Sequence, residues 1–440
     1  MLITPITHPL SATVRVPGSK SLTNRALLIA SLANGTTRLT NALFSDDSRY
    51  FAKALQTLGF DIQLDEANHE MIITGLGGVI PADKAEFFIG NAGTAARFLS
   101  AFLTLGNGEF ILDGDARMRA RPVGDLVESL TQLGANIQPI QPSREAFSLR
   151  PSSACPPVKI FANGLPGGKT RIAGDISSQF LSALLMVAPY AQNPIEITLT
   201  TELNSKPYVD MTIAVMQDFS VEVKRNAYQF FSIPITNYQL PISNSQPSST
   251  YAIESDASAA SYFFAASAIC GGTVCVENIS RKSKQGDIAF LDVLQKMGCV
   301  ITDGADSISV ARRSGNLCGI DIDMRDIPDT AQTLAAVAPF ASSPTRIRGI
   351  ASARVKETDR VHATCTELAR LGVRVEEHED GMTIYPVEKT RPALIQTYND
   401  HRMAMSFSLI GLRFNGVTIE NPSCVSKTFP DYFEVLETLR

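Results

Sequence analysis

Between Arg354 and Arg360 the chain reads Arg-Val-Lys-Glu-Thr-Asp-Arg, so five of seven consecutive side chains carry charge. Val361, Cys365, Leu368 and Leu371 follow at helical spacing, with Gly372 where a C-terminal cap belongs, and this pattern predicts that the charged run forms the first turns of a helix. On such a helix Lys356 and Arg360 share a face, and Glu357 lies three residues before Arg360. Two cations and a carboxylate aimed at one point would bind an anion and keep an acid beside it. A lone Lys-Glu-x-x-Arg is more often a solvated, charge-paired surface, so the weight falls on what accompanies it.

Its company is a set of polar helix starts. Lys20, Ser21 and Arg25 open one apolar run. Asn91, Gly93, Thr94 and Arg97 open a second, with Arg117, Arg119 and Arg121 in the loop behind it. Ser177, Ser178 and Gln179 open a third, followed by Ser205-Lys206-Pro207-Tyr208. Asp329 opens a fifth, Asp400-His401-Arg402 a sixth, and Lys427 comes last. Taken singly, Ser177-Ser178-Gln179 is an N-cap, Asn91-Ala92-Gly93-Thr94 a turn and Lys427 a surface lysine. Taken together they repeat one device. A helix N-terminus presents free N–H groups and a partial positive charge, so several such starts facing one cleft would hold a multiply anionic ligand. No further His lies near Asp400-His401 and the carboxylates are dispersed, so no metal is expected. Gly164 to Thr170 imitates a phosphate loop, but Asn163 stands where its first glycine belongs and no helical pattern follows.

Composition excludes other classes. With 440 residues, 44% hydrophobic and 19% charged, the chain is ordinary globular material with room for two cored domains. A net charge of -5 and a pI near 5.7 argue against a nucleic-acid partner, which needs a basic surface. Seven scattered cysteines with no Cys-x-x-Cys spacing indicate neither a disulfide framework nor zinc, and a cytoplasmic location is expected. The start lacks a basic leader and no apolar run reaches membrane length, so neither export nor a membrane partner is expected.

The elements that must position these groups form an internal repeat. An amphipathic helix ending in Leu-Gly or a similar phrase, then two short strands, recurs at Leu58-Gly59, Gly134, Phe219, Gly298 and Gly372. Gly59 and Gly134 are 75 residues apart, and Gly298 and Gly372 are 74 apart. An Ala/Leu-rich helix series interleaves with it, beginning near Lys20, Asn91, Ser177, Asp256, Asp329 and Asn399, and its members are apolar enough to be buried. Six α/β units of one plan are expected, the sixth without its final hairpin, for which Ala12 to Val16 is the candidate. The chain then starts and ends in one domain, residues 251–440 plus 1–18, with residues 19–250 inserted. A double-strand hinge is expected near 18 and 243–255, where Ser243 to Thr250 reads as a linker.

Pro17-Gly18-Ser19-Lys20-Ser21-Leu22-Thr23-Asn24-Arg25, Gly90-Asn91-Ala92-Gly93-Thr94-Ala95, Arg354 to Arg360 and Tyr398-Asn399-Asp400-His401-Arg402-Met403-Ala404 resemble the 5-enolpyruvylshikimate-3-phosphate synthase family, in order, from about residue 14 to Tyr432. The resemblance implies a two-domain enolpyruvyl transferase fold of six βαβαββ units, three per domain. It also implies transfer of the enolpyruvyl group of phosphoenolpyruvate to the 5-hydroxyl of shikimate 3-phosphate, releasing phosphate, on the shikimate pathway to chorismate and the aromatic amino acids. No cofactor is implied, and a monomer is expected.

Carried over residue by residue, the resemblance places Ser21 and Arg25 on the shikimate carboxylate. Ser177, Ser178, Gln179, Ser205, Tyr208, Lys356 and Ser352 come around the shikimate ring and its phosphate, with Lys20 and Asp329 also in that set. Lys20, Arg121 and Lys427 meet the phosphate of phosphoenolpyruvate, Arg360 and Arg402 its carboxylate, and Asn91, Gly93 and Gln179 complete that second site. Asp329, alone or with Lys20, takes the hydroxyl proton, and Glu357 protonates C3 of the enol. The intermediate stays non-covalent, and domain closure removes water. Two departures stand out: Ser352-Ala353 replaces the Asn-Trp of many members, and Phe98 follows Arg97 where some continue with Pro. Two other readings remain: a UDP-amino-sugar enolpyruvyl transferase, which usually carries Lys-Asn at Lys20-Ser21 and a loop cysteine as acid, and a non-catalytic anion-binding homologue.

Overall fold

A computed structural model describes residues 1–140, 154–240, 249–312 and 315–440. Residues 243–248 of the expected linker lie outside them, and its last two residues open the strand Ser249–Ala252. The helices are α1 (Lys20–Leu32), α2 (Asp46–Thr57), α3 (Gly93–Phe102), α4 (Gly124–Gln132), α5 (Ser178–Val187), α6 (Lys206–Asp218), α7 (Ala257–Cys270), α8 (Phe290–Lys296), α9 (Ala331–Val337), α10 (Arg360–Arg370), α11 (His401–Gly411) and α12 (Tyr432–Glu437).

Burial divides them into two kinds, and the sequence says why. In α3, α9 and α11 every residue is buried, and α1, α5 and α7 are buried over nearly all their length. Beyond their polar starts their side chains are largely apolar on all sides, so no face is suited to water. By contrast α2 buries Phe51, Ala52 and Leu55, and α10 buries Val361, Cys365 and Leu368, the one-sided stripe of a helix lying over a core.

Among the described residues five sheets follow one plan: a parallel first pair, then two antiparallel neighbours. Asn34–Thr40 has Ser249–Ala252 parallel on one side and the hairpin Asp61–Asp65/Glu70–Leu76 on the other. Asn107–Asp113 is flanked likewise by Lys84–Phe88 and by Val158–Asn163 with Asn136–Pro139. Ile195–Leu199 is flanked by Gly168–Ile172 and by Phe230–Ile233 with Lys224–Asn226. The sheets around Gly272–Glu277 and Thr345–Arg348 repeat the order, with Leu10–Arg15 and Asp321–Asp323 as their parallel edges.

Two edge strands are exchanged. Leu10–Arg15 precedes α1 yet pairs with Gly272–Glu277, the strand that follows α7, while Ser249–Ala252 precedes α7 and pairs with Asn34–Thr40 after α1. The chain accordingly falls into two compact units, a central one of Gly18–Ile253 and a terminal one of Met1–Pro17 with Glu254–Arg440.

The exchange also corrects an expectation. Residues 12 to 15 do not complete the sixth repeat, because they form part of the parallel edge of the fourth. The sixth sheet has Ala393–Ile395 parallel to Val417–Ile419, and the antiparallel neighbour comes from the first three residues: Leu2 bridges Thr418, and Ile3 N–H donates to Val417 O at 2.9 Å. Ile3 can enter because α11 carries Gly411 there; a Cβ on that glycine would lie 2.6 Å from Ile3 Cβ. Gly411→Ala is therefore expected to lower the free energy of urea unfolding by about 1–3 kcal/mol, the cost of overpacking. An unchanged midpoint would show that the segment gives way freely.

Candidate active site

In the terminal unit the chemistry gathers on one carboxylate. Asp329 lies in the 3-10 turn Pro328–Thr330 leading into α9. Its Oδ1 accepts from Lys356 Nζ at 2.6 Å and Arg360 Nη1 at 3.1 Å, and its Oδ2 from Arg402 Nη2 at 2.8 Å. Burial would raise the pKa of this carboxyl, but Arg402, Lys356 and Arg360 outweigh it and hold the group well below the usual carboxylate range. Burial lowers the Lys356 ammonium despite the opposing pull of Asp329. For Arg360 burial is the largest influence and acts downward, yet Asp400, Glu357 and Asp329 together shift it upward.

Around this centre the partners interlock. Arg360 donates Nη2 to Glu357 Oε2 at 2.7 Å and Nε to Asp400 Oδ2 at 2.7 Å. Asp400 caps α11, accepting from Arg402 N–H at 2.9 Å. Lys427, at the end of the 3-10 turn Pro422–Lys427, brings Nζ to 3.9 Å from Glu357 Oε1. Ser352 is buried in the 3-10 turn Ala351–Val355 that precedes Lys356.

The helix expected across the charged run is absent. Ala351–Val355 is a 3-10 turn, Lys356 has φ -91° and ψ -146°, and α10 begins only at Arg360. Asp359 sets this boundary: its side chain accepts from His362 N–H at 3.0 Å as an N-cap, and Arg354 holds it at 2.8 Å. Lys356 and Arg360 still converge, through Oδ1 of Asp329 rather than along a helix face.

In the central unit Arg25 is the node. Although 2% exposed, it donates Nε to Thr212 Oγ1 at 2.7 Å, Nη1 to Ser21 O at 2.9 Å, and Nη2 to Tyr208 O at 3.2 Å and Ser182 Oγ at 3.5 Å. Its guanidinium carbon lies 5.3 Å from the centre of the Phe98 ring. One residue of α1 thus touches α3, α5 and α6. Burial pulls its pKa down to about 10 against the pull of Tyr208.

The other helix starts are tied in pairs. Lys20, the first residue of α1, lies 3.2 Å from Asp47 Oδ2 in the first turn of α2. Arg121 donates Nη1 to Asn91 Oδ1 at 2.8 Å, and a Cβ on Gly93 would stand 2.4 Å from Arg121 Nη2. Only glycine lets that guanidinium lie against the start of α3. Ser177 caps α5 by accepting from Gln179 N–H at 3.3 Å, and Gln179 Nε2 reaches Thr94 Oγ1 at 3.3 Å. Ser178 is buried beside this cap. Ser205 enters α6 in the left-handed region, φ 59° and ψ 44°, and Tyr208 stands in the first turn.

Sequence reasoning missed Asp47, Ser182, Thr212 and Asp287. Asp47 carried a usable signal, since Ser45-Asp46-Asp47-Ser48 is a capped helix start with acid in its first turn. Asp287 carried none. It is buried in the 3-10 turn Gly286–Ala289 and paired with the Ser258 hydroxyl on α7.

Within each unit, cations gathered near helix starts form a cluster suited to small anions. Residues 5–436 match the family described as EPSP synthase (3-phosphoshikimate 1-carboxyvinyltransferase), and the chain belongs to that family. Proteins named 3-phosphoshikimate 1-carboxyvinyltransferase from Sulfurovum sp. and Nostoc sp. are 49% and 48% identical over 427 and 429 residues, covering 97% of this chain and 96% of each relative. A solved EPSP synthase from Acinetobacter baumannii is similar with a TM-score of 0.78 at 26% identity, over 99% of this chain and 97% of that one.

The buried Asp287 yields a test by pH. Burial first, and the Asp329 charge second, push its carboxyl up to about 6, against the opposing effects of Arg402 and the Ser258 hydroxyl and with a further push from Asp256. A raised folded pKa means that the folded state loses stability as pH rises from about 4 to about 6, and the penalty is complete above that. Asp287→Asn should therefore be more stable than the native chain at pH 8, by on the order of 2 kcal/mol, and should lose that advantage by pH 4. A stability difference that does not vary with pH would show that Asp287 is not the group titrating there.

Proposed function

We propose that the chain transfers the enolpyruvyl group of phosphoenolpyruvate to the 5-hydroxyl of shikimate 3-phosphate, releasing phosphate, and that the clusters of the two units carry the reaction. The supporting observation is the convergence of Lys356, Arg360 and Arg402 on Asp329. Three cations held by one carboxylate are a ready-made place for ligand anions, provided that the carboxylate can release them.

Ser21, Arg25, Ser177, Ser178, Gln179, Ser205 and Tyr208 are assigned to shikimate 3-phosphate, with Lys356 and Ser352. Four of the five N–H donors of Arg25 are already engaged, so Arg25 offers a substrate carboxylate one donor and, chiefly, a rigid positive charge. Lys20, Arg121 and Lys427 are assigned to the phosphate of phosphoenolpyruvate, Arg360 and Arg402 to its carboxylate, and Asn91, Gly93 and Gln179 to its surroundings.

The chemistry follows from a change of partners. With its three cations attached, Asp329 is too weak a base to take a hydroxyl proton. Substrate anions that draw Lys356, Arg360 and Arg402 toward themselves remove the groups that depress it, and its proton affinity rises. Asp329 then accepts the 5-hydroxyl proton as the oxygen adds to C2. The same exchange loosens Glu357 from Arg360 and Lys427, so Glu357 can carry the proton that C3 receives. Glu357 then takes back a proton from the new methyl group as the C2–O bond to phosphate breaks, leaving the enol ether and free phosphate with no bond to the enzyme at any stage.

We further propose a monomer in a reducing cytoplasm; among the described residues no cysteine is in a disulfide, which supports the second of these. Among the described residues no helix is long and apolar enough to cross a membrane.

Phosphate release from phosphoenolpyruvate is expected only when shikimate 3-phosphate is present. Release driven instead by a UDP-amino sugar, or binding of both anions without release, would contradict the proposal. Glu357→Gln should bind both substrates nearly as well as the native chain while turnover falls by about two to four powers of ten, the usual worth of one acid or base. Unchanged turnover would assign the proton to another group.

A further inference from the structure

The turn that delivers Asp400 is made of residues that resist its shape. Asp400 N–H donates to Thr397 O at 2.8 Å, closing four residues whose central pair, Tyr398 and Asn399, have φ of 53° and 54°. Two successive positive φ values make a type I′ turn, normally the province of Asn-Gly. Asn accepts this conformation; a bulky tyrosine adopts it only when its surroundings enforce it.

Two groups on α10 do the enforcing. Glu367, fully buried, accepts from Gln396 N–H at 3.1 Å and from the Tyr398 hydroxyl at 2.8 Å. Arg370 holds the outer side of the same carboxylate at 3.1 Å. Seven residues earlier, Arg360 grips the Asp400 carboxylate through Nε at 2.7 Å and Nη2 at 3.3 Å. Seven residues are two turns, about 10 Å along one face of a helix, so residues 396–400 are pinned to α10 at both ends. A buried carboxylate is tolerated only when its oxygens are satisfied, and two of the three donors to Glu367 come from Tyr398 of this turn and from Gln396 just before it. Burial, and after it Glu367, push the Tyr398 hydroxyl up to about 12, so it stays a donor through the working pH range.

We propose that Glu367 and Tyr398 are positioning residues for the phosphoenolpyruvate carboxylate site. The clasp fixes Asp400, and Asp400 fixes both Arg360, through its side chain, and Arg402, through the cap of α11. This inference rests on the assignment of Arg360 and Arg402 to that carboxylate.

The test is steady-state kinetics on the full chain, with KM measured for each substrate separately and thermal unfolding alongside. Tyr398→Phe removes one hydroxyl from a residue 36% exposed, so the fold should survive. KM for phosphoenolpyruvate should rise about three- to tenfold, the scale of one ordinary hydrogen bond, while KM for shikimate 3-phosphate stays within about twofold. Glu367→Gln should act in the same direction, and the double variant should lose less than the two single losses combined, because both disturb one contact. A lowered melting temperature with an unchanged KM for phosphoenolpyruvate, or equal losses for both substrates, overturns the proposal. Arg402→Lys separates the two levels of the argument. If it too leaves KM for phosphoenolpyruvate unchanged, the assignment of the site is wrong. If it raises that KM and Tyr398→Phe does not, the assignment stands and the clasp fails.

Discussion

The terminal unit depends on a charge balance that a single residue maintains. Lys356, Arg360 and Arg402 are drawn into a partly or wholly buried setting, and Asp329 accepts a hydrogen bond from each. A buried cation left without a counter-ion costs several kcal/mol, so such a site must be filled by an anion of its own until a substrate arrives. Asp329 is that anion, with Glu357 and Asp400 doing the same for the remaining edges of Arg360. Under the proposed reaction this arrangement would make binding and activation one event, because whatever displaces Asp329 from its cations also makes it a better base.

The central unit solves a related problem differently. Arg25 is surrounded by hydroxyls and carbonyls of three helices rather than by carboxylates, so it keeps its charge permanently on offer while its geometry is locked. The apolar helices make this possible: α1, α3 and α5 pack closely enough for one guanidinium to reach Ser182 and Phe98 from Ser21. A rigid cation suits a ligand that must be oriented. A cation whose partner can be exchanged suits a ligand that must also switch on the chemistry.

The repeats and the polar helix starts could be read from the chain because both are local signals. Apolar all-round helices, Leu-Gly endings and polar helix starts can be seen within a dozen residues. What could not be seen was pairing through space. Asp329 meets Lys356 across 27 positions and Arg402 across 73, and no periodicity encodes either. That Leu10–Arg15 edges the fourth sheet and not the sixth was hidden for the same reason, since nothing local to the strand names its partner. The charged run was misread as helix because its spacing fits one; the deciding fact was that Asp359 caps α10 rather than joining it.

Equilibrium binding of phosphoenolpyruvate to Asp329→Asn, in the presence of shikimate 3-phosphate, bears most directly on the exchange of partners. If Asp329 competes with the substrate for Lys356, Arg360 and Arg402, the neutral variant should bind phosphoenolpyruvate at least as tightly as the native chain, while turnover drops by about two powers of ten or more. Affinity that collapses together with turnover would mean that Asp329 builds the anion site instead of holding its place, and the account would be wrong.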